Sequence, residues 1–240
     1  MKTLILASAL ALSAGAAFAQ DTVRLATEGA YPPFNFLNDA GEVDGFEREL
    51  GDQLCTRAEL TCEWVTNEWD SIIPNLVSGN YDVIMAGMSI TPERDEVIDF
   101  TQDYSPPTPS AYVGLTAEAD IAAGTVAAQT GTIQAGYIAE SGATLIEFAT
   151  PEETVAAVRN GEADAVFADF DYLSAIVEES GGELTFVGDR VPIGGGVGAG
   201  LRESDTELRD KLDAAIASMK EDGSLNELLV KWFGEDAQTY

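Results

Sequence analysis

Two stretches, LVSGNYDVIMAG at 76–87 and AVRNGEADAVFAD at 157–169, decide how this chain folds. Each reads as a helix end, a Gly-Asn or Asn-Gly turn, and then a short apolar strand. Working outward, the same alternation recurs. TVRLAT at 22–27 reads as a buried strand, and the two prolines of YPPF at 31–34 cannot continue it because they lack donors. Phe46, Leu50, Leu54 and Ala58 recur every four residues and mark a helix over 46–59. Short strands are expected at 62–65, 81–86, 125–129, 145–148 and 163–168. Helices are expected at 71–78, from Thr91-Pro92, from about 132 to 140, from 151 to near Gly161, and at 172–180. Asp70 is expected to cap the helix at 71–78, with Pro74 near its first turn. Thr91 before Pro92 is an N-cap followed by a first-turn proline. Thr150 and Glu153 form a capping box. Strands alternating with helices give an α/β fold with largely parallel sheets.

The restart of the pattern after SPPTP at 105–109 suggests two lobes, with this stiff segment as one connector. GGGVGAGLR at 194–202 reads as a second crossing followed by a strand, and closing helices are expected at 208–220 and 225–233. The expected division is a signal peptide at 1–19, a first lobe of 20–106 plus 195–240, and a second lobe of 107–194. The signal reading rests on Lys2, the apolar run at 4–18, and Ala17-Phe18-Ala19 before the expected cleavage. It places the mature protein in the periplasm.

The net charge of -30 makes nucleic acid an unsuitable partner, since phosphate rewards Lys and Arg. A saline medium would screen the self-repulsion of such a chain. With no histidine, Ser-His and Cys-His catalysis are ruled out. No metal and no cofactor are expected. The two cysteines, Cys55 and Cys62, suggest one disulfide in a secreted chain, with a pair of buried free thiols as the alternative.

Ligands of open α/β sheets bind at the carboxyl ends of strands. Those ends carry Glu28, Gly87 to Ser89, Gln129 to Thr132, and Asp169. Arg94 breaks a local rule. It stands in the first turn after the Thr91 cap, where the helix already carries partial positive charge. Together with free N–H groups over 89–93 it would suit a carboxylate, although an exposed Arg94 paired with Glu93, Asp95 or Asp99 is the plainer reading. Glu28 and Asp169 would suit cationic groups, and Tyr31 and Trp69 could flank an apolar stem or a cation. Ordinary solvated acids and core aromatics are the alternatives.

At this point the chain resembles the periplasmic polar amino-acid-binding proteins of ABC importers, solute-binding protein family 3. SITPER at 89–94 and GFE-x-x-L from Gly45 are typical of the first lobe, and AQTGTIQ at 128–134 and DGSLNELLVKWFG at 222–234 also match. The CTRAELTC spacing at 55–62 is similar to the disulfide of lysine/arginine/ornithine and histidine binders. The resemblance implies a two-lobed periplasmic binding protein fold of type II with two hinge crossings. It implies that Arg94 holds the ligand α-carboxylate, helped by Ser89 and the N–H of Thr132. Asp169 and the Gly87 carbonyl would hold the α-ammonium, and Tyr31 and Trp69 would flank the side chain. Gln129 and Gln134 fall at positions that contact ligand or vary with specificity, and Met88 would offer mainly backbone. Trp69 departs from the usual Phe, and Glu28 from the usual Asp.

A buried Glu28 would be costly without a cation, so arginine, lysine or ornithine fit best and histidine next. Glutamine, an opine or a betaine is the alternative ligand. The implied function is capture by hinge closure and delivery to a membrane permease, by a monomer that makes or breaks no bond. The rivals are a cyclohexadienyl dehydratase on the same fold, with Glu28 or Asp171 as proton donor, and a sensor domain.

Overall fold

A computed structural model describes residues 22–240 of the chain. The signal segment, its cleavage after Ala19 and the expected start of the first lobe at Gln20 lie outside the described residues. The first part of the chain runs β1 (Val23–Thr27), β2 (Ala30–Tyr31), β3 (Asn35–Leu37), β4 (Val43–Asp44), α1 (Phe46–Arg57), β5 (Cys62–Thr66), α2 (Trp69–Val77), β6 (Val83–Ile84), α3 (Pro92–Asp95) and β7 (Asp99–Ser105). It then crosses to β8 (Ser110–Gly114), β9 (Thr125–Gln129), α4 (Ile133–Ala139), β10 (Thr144–Phe148), α5 (Pro151–Arg159), β11 (Ala165–Asp169), α6 (Phe170–Glu179) and β12 (Thr185–Val191). It returns as β13 (Val197–Leu201), α7 (Thr206–Asp222) and α8 (Ser224–Phe233).

Two five-stranded sheets result, ordered β5-β1-β6-β13-β7 and β10-β9-β11-β8-β12, and a small β2-β3-β4 sheet sits beside the first. The two large sheets are mixed rather than simply parallel. β1 runs parallel to β5 and β6, but β13 is antiparallel to both β6 and β7. β9 runs parallel to β10 and β11, but β8 is antiparallel to both β11 and β12. The reason is the double crossing. β7 and β12 each leave their sheet at its carboxyl edge, so β8 and β13 enter the other sheet at that same edge and run backwards. The type II two-lobed architecture follows, with the carboxyl ends of both parallel sets turned toward one cleft.

The repeat at Phe46, Leu50 and Leu54 forms the buried stripe of α1, each of the three being 0% exposed. Glu47 and Glu49 stand in its first turn and Arg57 in its last, the arrangement the helix dipole favours. Gly45 begins the helix at φ 116°, and a Cβ there would lie 2.6 Å from the Phe34 carbonyl oxygen, so only glycine fits. The Thr91 cap and the Thr150–Glu153 capping box form as read. The start of α2 differs. Asp70 does not cap it; the helix begins at Trp69, after Glu68, and Asp70 lies in its first turn. Pro74 falls in the second turn, so the Asp70 carbonyl has no N–H at that position to accept from. β7, β8 and β12 were not singled out in the sequence, and β6 is shorter than the apolar run YDVIMA suggests.

Cys55 and Cys62 form the disulfide, with a Cα–Cα distance of 6.3 Å, tying the last turn of α1 to the start of β5. It closes a short loop far from the cleft. Replacing both cysteines by serine is expected to lower unfolding free energy by about 2.5 kcal/mol through loop entropy. Urea titration of the two proteins measures the loss, and ligand affinity should not change.

Candidate functional site

The carboxyl ends of β1, β6, β9 and β11 deliver their following residues to one cavity of about 340 Å³. Its walls include Glu28 and Tyr31 after β1, and Gly87 and Ser89 after β6. Trp69 comes from α2, Arg94 from α3, Gln129 and Thr132 from the β9–α4 turn, Gln134 from α4, and Asp169 from the end of β11. Ten of the eleven residues singled out in the sequence therefore meet. The eleventh, Met88, does not line the cavity. It is 0% exposed and packs with Ala26, Ile72 and Ile84 on one face of the first sheet. Ala86 and Ile133 also line the cavity and were missed. Both are apolar neighbours of strand ends and carry no chemical signal of their own.

Arg94 occupies the position its broken rule suggested. Its backbone N–H donates to Thr91 Oγ1 at 3.3 Å, so the cap places it. Its guanidinium donates to two carbonyls, those of Ser89 at 2.8 Å and Gly131 at 3.4 Å, and lies 5.3 Å from the centre of the Trp69 ring. It does not take the plainer role of pairing with a neighbouring acid, and Asp99 pairs with Arg209 instead. Burial lowers the Arg94 pKa to about 10, against the opposing attraction of Asp169 and Glu93.

The two carboxylates face the opposite problem. Burial raises Asp169 to about 6, an effect opposed by its hydrogen bond from Tyr31 and assisted by repulsion from Asp171. Tyr31 Oη donates to Asp169 Oδ2 at 2.8 Å, and Gln134 Nε2 donates to Oδ1 at 3.0 Å. The Tyr31 ring stacks on Tyr172 with centroids 4.4 Å apart. Glu28 is raised to about 7 by burial, with its bond from Gln129 opposing and Asp70 adding repulsion. The Gln129 amide reaches Glu28 Oε1 at 2.6 Å and is also held by the Ala149 carbonyl at 3.0 Å.

The Tyr31–Asp169, Gln129–Glu28 and Arg94–Gly131 contacts all pass from one large sheet's side to the other's, so the cavity is shut between the lobes. Thr132 uses its hydroxyl locally. It accepts from Ala135 N at 3.1 Å and donates to the Gln129 carbonyl at 2.7 Å, while its N–H makes only a long 3.4 Å contact with that same carbonyl. The site thus offers a planar cation at one place and two carboxyl groups elsewhere on its wall. Among the described residues no group of His, Cys, Asp and Glu is arranged to hold a metal ion. No helix among them is long and apolar enough to cross a membrane.

The sequence over 23–235 matches the model for bacterial extracellular solute-binding proteins, family 3. The chain is 33% identical to the octopine-binding periplasmic protein of Rhizobium meliloti, over 97% of each chain. It is 32% identical to the L-arginine-binding protein of Pseudomonas aeruginosa, over 98% of each. It also resembles the crystal structure of a periplasmic His/Glu/Gln/Arg/opine family-binding protein from Silicibacter pomeroyi in complex with lysine. That likeness has a TM-score of 0.90 and 78% identity, covering 91% of this chain and 100% of that one. The resemblance carried by SITPER and GFE thus extends over nearly the whole described chain, which belongs to the bacterial extracellular solute-binding proteins of family 3.

Proposed function

We propose that the chain captures a basic amino acid in this cavity, arginine, lysine or ornithine before histidine, and hands it to the permease of an ABC importer. The observation that carries the reading is the charge pattern of the wall. Arg94 is partly buried and its hydrogen bonds go only to carbonyls, while Glu28 and Asp169 are partly buried with only neutral donors. Each charge is desolvated without an opposite charge in contact, an arrangement that costs stability until a ligand supplies one. A zwitterion with a cationic tail supplies all three.

In this reading Arg94 grips the α-carboxylate, helped by Ser89 and the N–H of Thr132. Asp169 and the Gly87 carbonyl take the α-ammonium, and Glu28 meets the far cation. Tyr31 and Trp69 flank the stem, and Gln129 and Gln134 tune the fit, whereas Met88, which does not line the cavity, has no part in it. The lobes are taken as 20–106 plus 195–240 and 107–194, a division supported by each large sheet drawing its strands from one of these sets. Opening and closing at the two crossings would admit and enclose the ligand. The protein acts as a monomer in the periplasm and changes no bond in its cargo.

A thermal-shift screen of the twenty amino acids with opines, betaines and polyamines tests the reading, because a tight ligand raises the melting point by mass action. Arginine or lysine should give the largest shift; a larger shift with glutamine or an opine would reassign the ligand. Glu28, raised to about 7, and Asp171, also raised by burial, are the carboxyls that could serve a dehydratase on this scaffold as proton donor. Incubation with arogenate should therefore release no phenylalanine, and its release would overturn the binding-only reading.

Arg94→Ala should weaken arginine binding by about 2–5 kcal/mol, since it strands a buried carboxylate. Calorimetry showing unchanged affinity would remove Arg94 from the site. Affinity for arginine should rise from pH 6 to pH 8. Below about 7 the Glu28 carboxyl is protonated in the free protein, so a cation must displace that proton on binding. Calorimetry in buffers of different ionisation heat should register proton release at pH 6.5. Glu28→Gln should remove most of the release and of the pH slope, the remainder coming from Asp169, raised to about 6, while leaving glutamine binding nearly as it was.

A further inference from the structure

A third carboxylate lies beneath the cavity rather than in its wall. Glu47 is the second residue of α1 and is 0% exposed. Its Oε1 accepts from the Gly87 N–H at 2.7 Å and from the Tyr104 hydroxyl, and its Oε2 accepts from Asn35 Nδ2 at 2.8 Å. Asn35 is itself 0% exposed, and its Oδ1 accepts from the Gly29 N–H at 2.8 Å. No Lys or Arg takes part in this network. Burial raises the Glu47 pKa, opposed by its bonds from Tyr104, Gly87 and Asn35.

The three donors to Glu47 come from segments far apart in sequence. Gly87 belongs to the cavity wall after β6, Asn35 opens β3 and in turn holds the Gly29 N–H beside Glu28, and Tyr104 is the residue before the last of β7, where the chain leaves for the other lobe. A carboxylate is the one side chain of this size with two acceptor oxygens and no donor. Two donors on Oε1 and one on Oε2 are satisfied together, with no other group having to turn, by a carboxylate. An apolar residue would fill the space at lower desolvation cost but would leave these donors unpaired.

We propose that Glu47 is a positioning residue for ligand recognition. It holds Gly87 directly and Glu28 through Asn35 and Gly29, and it ties both to the hinge strand through Tyr104. The proposal rests on the reading of the cleft as a basic amino-acid site. It makes the charge selectivity of Glu28 depend on a side chain that never touches the ligand. The relay has a direction. In Glu47→Gln the new amide keeps one oxygen for Gly87 and Tyr104 but turns its NH₂ group toward Asn35. Asn35 must then rotate to accept, and the Gly29 N–H loses its acceptor. The disturbance is delivered to the backbone beside Glu28, while the Gly87 side is spared.

The test measures the preference for L-arginine over L-citrulline, whose ureido group is close in shape to guanidinium and carries no charge. Calorimetry on the full chain gives both affinities for the wild type and for Glu47→Gln. The expected result is that the arginine preference falls about tenfold, with citrulline binding changed by less than about threefold. An equal loss for both ligands would mark Glu47 as merely structural and overturn the proposal, as would no loss at all. Should Glu47→Gln fail to fold, Asn35→Ala keeps the carboxylate and cuts only the relay. It should lower the same preference, and an unchanged preference overturns the proposal equally. A wild type that binds neither arginine nor lysine would instead refute the assignment of the site, and this inference would fall with it.

Discussion

Burying a charge away from water costs several kcal/mol unless partners replace the lost hydration, and this constraint organises the molecule around its cleft. Arg94, Glu28, Asp169 and Glu47 are all largely withdrawn from solvent, yet none is in contact with an opposite charge. Each is held by neutral donors or acceptors instead. These suffice to keep the groups in place but not to match their charge. Elsewhere the chain pairs its charges in the ordinary way, as Asp82 does with both Arg24 and Arg202 at 2.9–3.0 Å. The contrast separates the charges that stabilise a lobe from those kept in reserve for something that enters the cleft.

The double crossing explains why reserved charges of both signs can sit in one place. Because β8 and β13 enter their sheets at the carboxyl edges, the two sets of strand ends face each other rather than opposite sides of the molecule. Backbone N–H groups at the starts of α3 and α4 and carboxylates at the ends of β1 and β11 then share one volume. The lobes meet there through few polar contacts, chiefly Tyr31 to Asp169 and Gln129 to Glu28. Each uses a carboxylate whose pKa burial has raised, so the closed arrangement places neutral donors against groups that a cation would satisfy better. A ligand that brings cations does not merely fill the cleft. It offers stronger partners to the groups that already bridge it.

Much of this was legible in the sequence because it was local. A cap needs only Thr91 and Pro92, the capping box only Thr150 and Glu153, and the stripe of α1 only residues four apart. Arg94 was found by the same means, as a cation where the helix start disfavours one. What escaped was non-local or ambiguous. The 99–105 segment DFTQDYS mixes charge and aromatics without clean alternation, and β12 carries Gly188 at φ 64° beside a register shift in its pairing with β8. The start of α2 moved because Trp69 joins the helix and buries against the core, so that packing overrode the cap signal of Asp70. The network of Glu47 was beyond reach. GFE marked a resemblance, but the partners Asn35, Tyr104 and Gly87 come together only in the fold.

The net charge of -30 acts on the same problem from outside. At physiological ionic strength a charge is screened over about 8 Å, so most of the acidic surface is not felt within the cavity. Beside the cavity the effect is local. Glu68 and Asp70 line a neighbouring recess together with Glu28 and Trp69, and Asp70 is near enough to help raise the Glu28 pKa. A cation near this recess meets the negative potential of Glu68 and Asp70 together with that of Glu28. The cationic Arg94, stacked near Trp69, lies on the cavity side of that recess. The charges therefore have a polarity along the cleft, and under the proposed function a basic amino acid would lie with its tail toward Glu28 and its carboxylate toward Arg94 rather than in reverse.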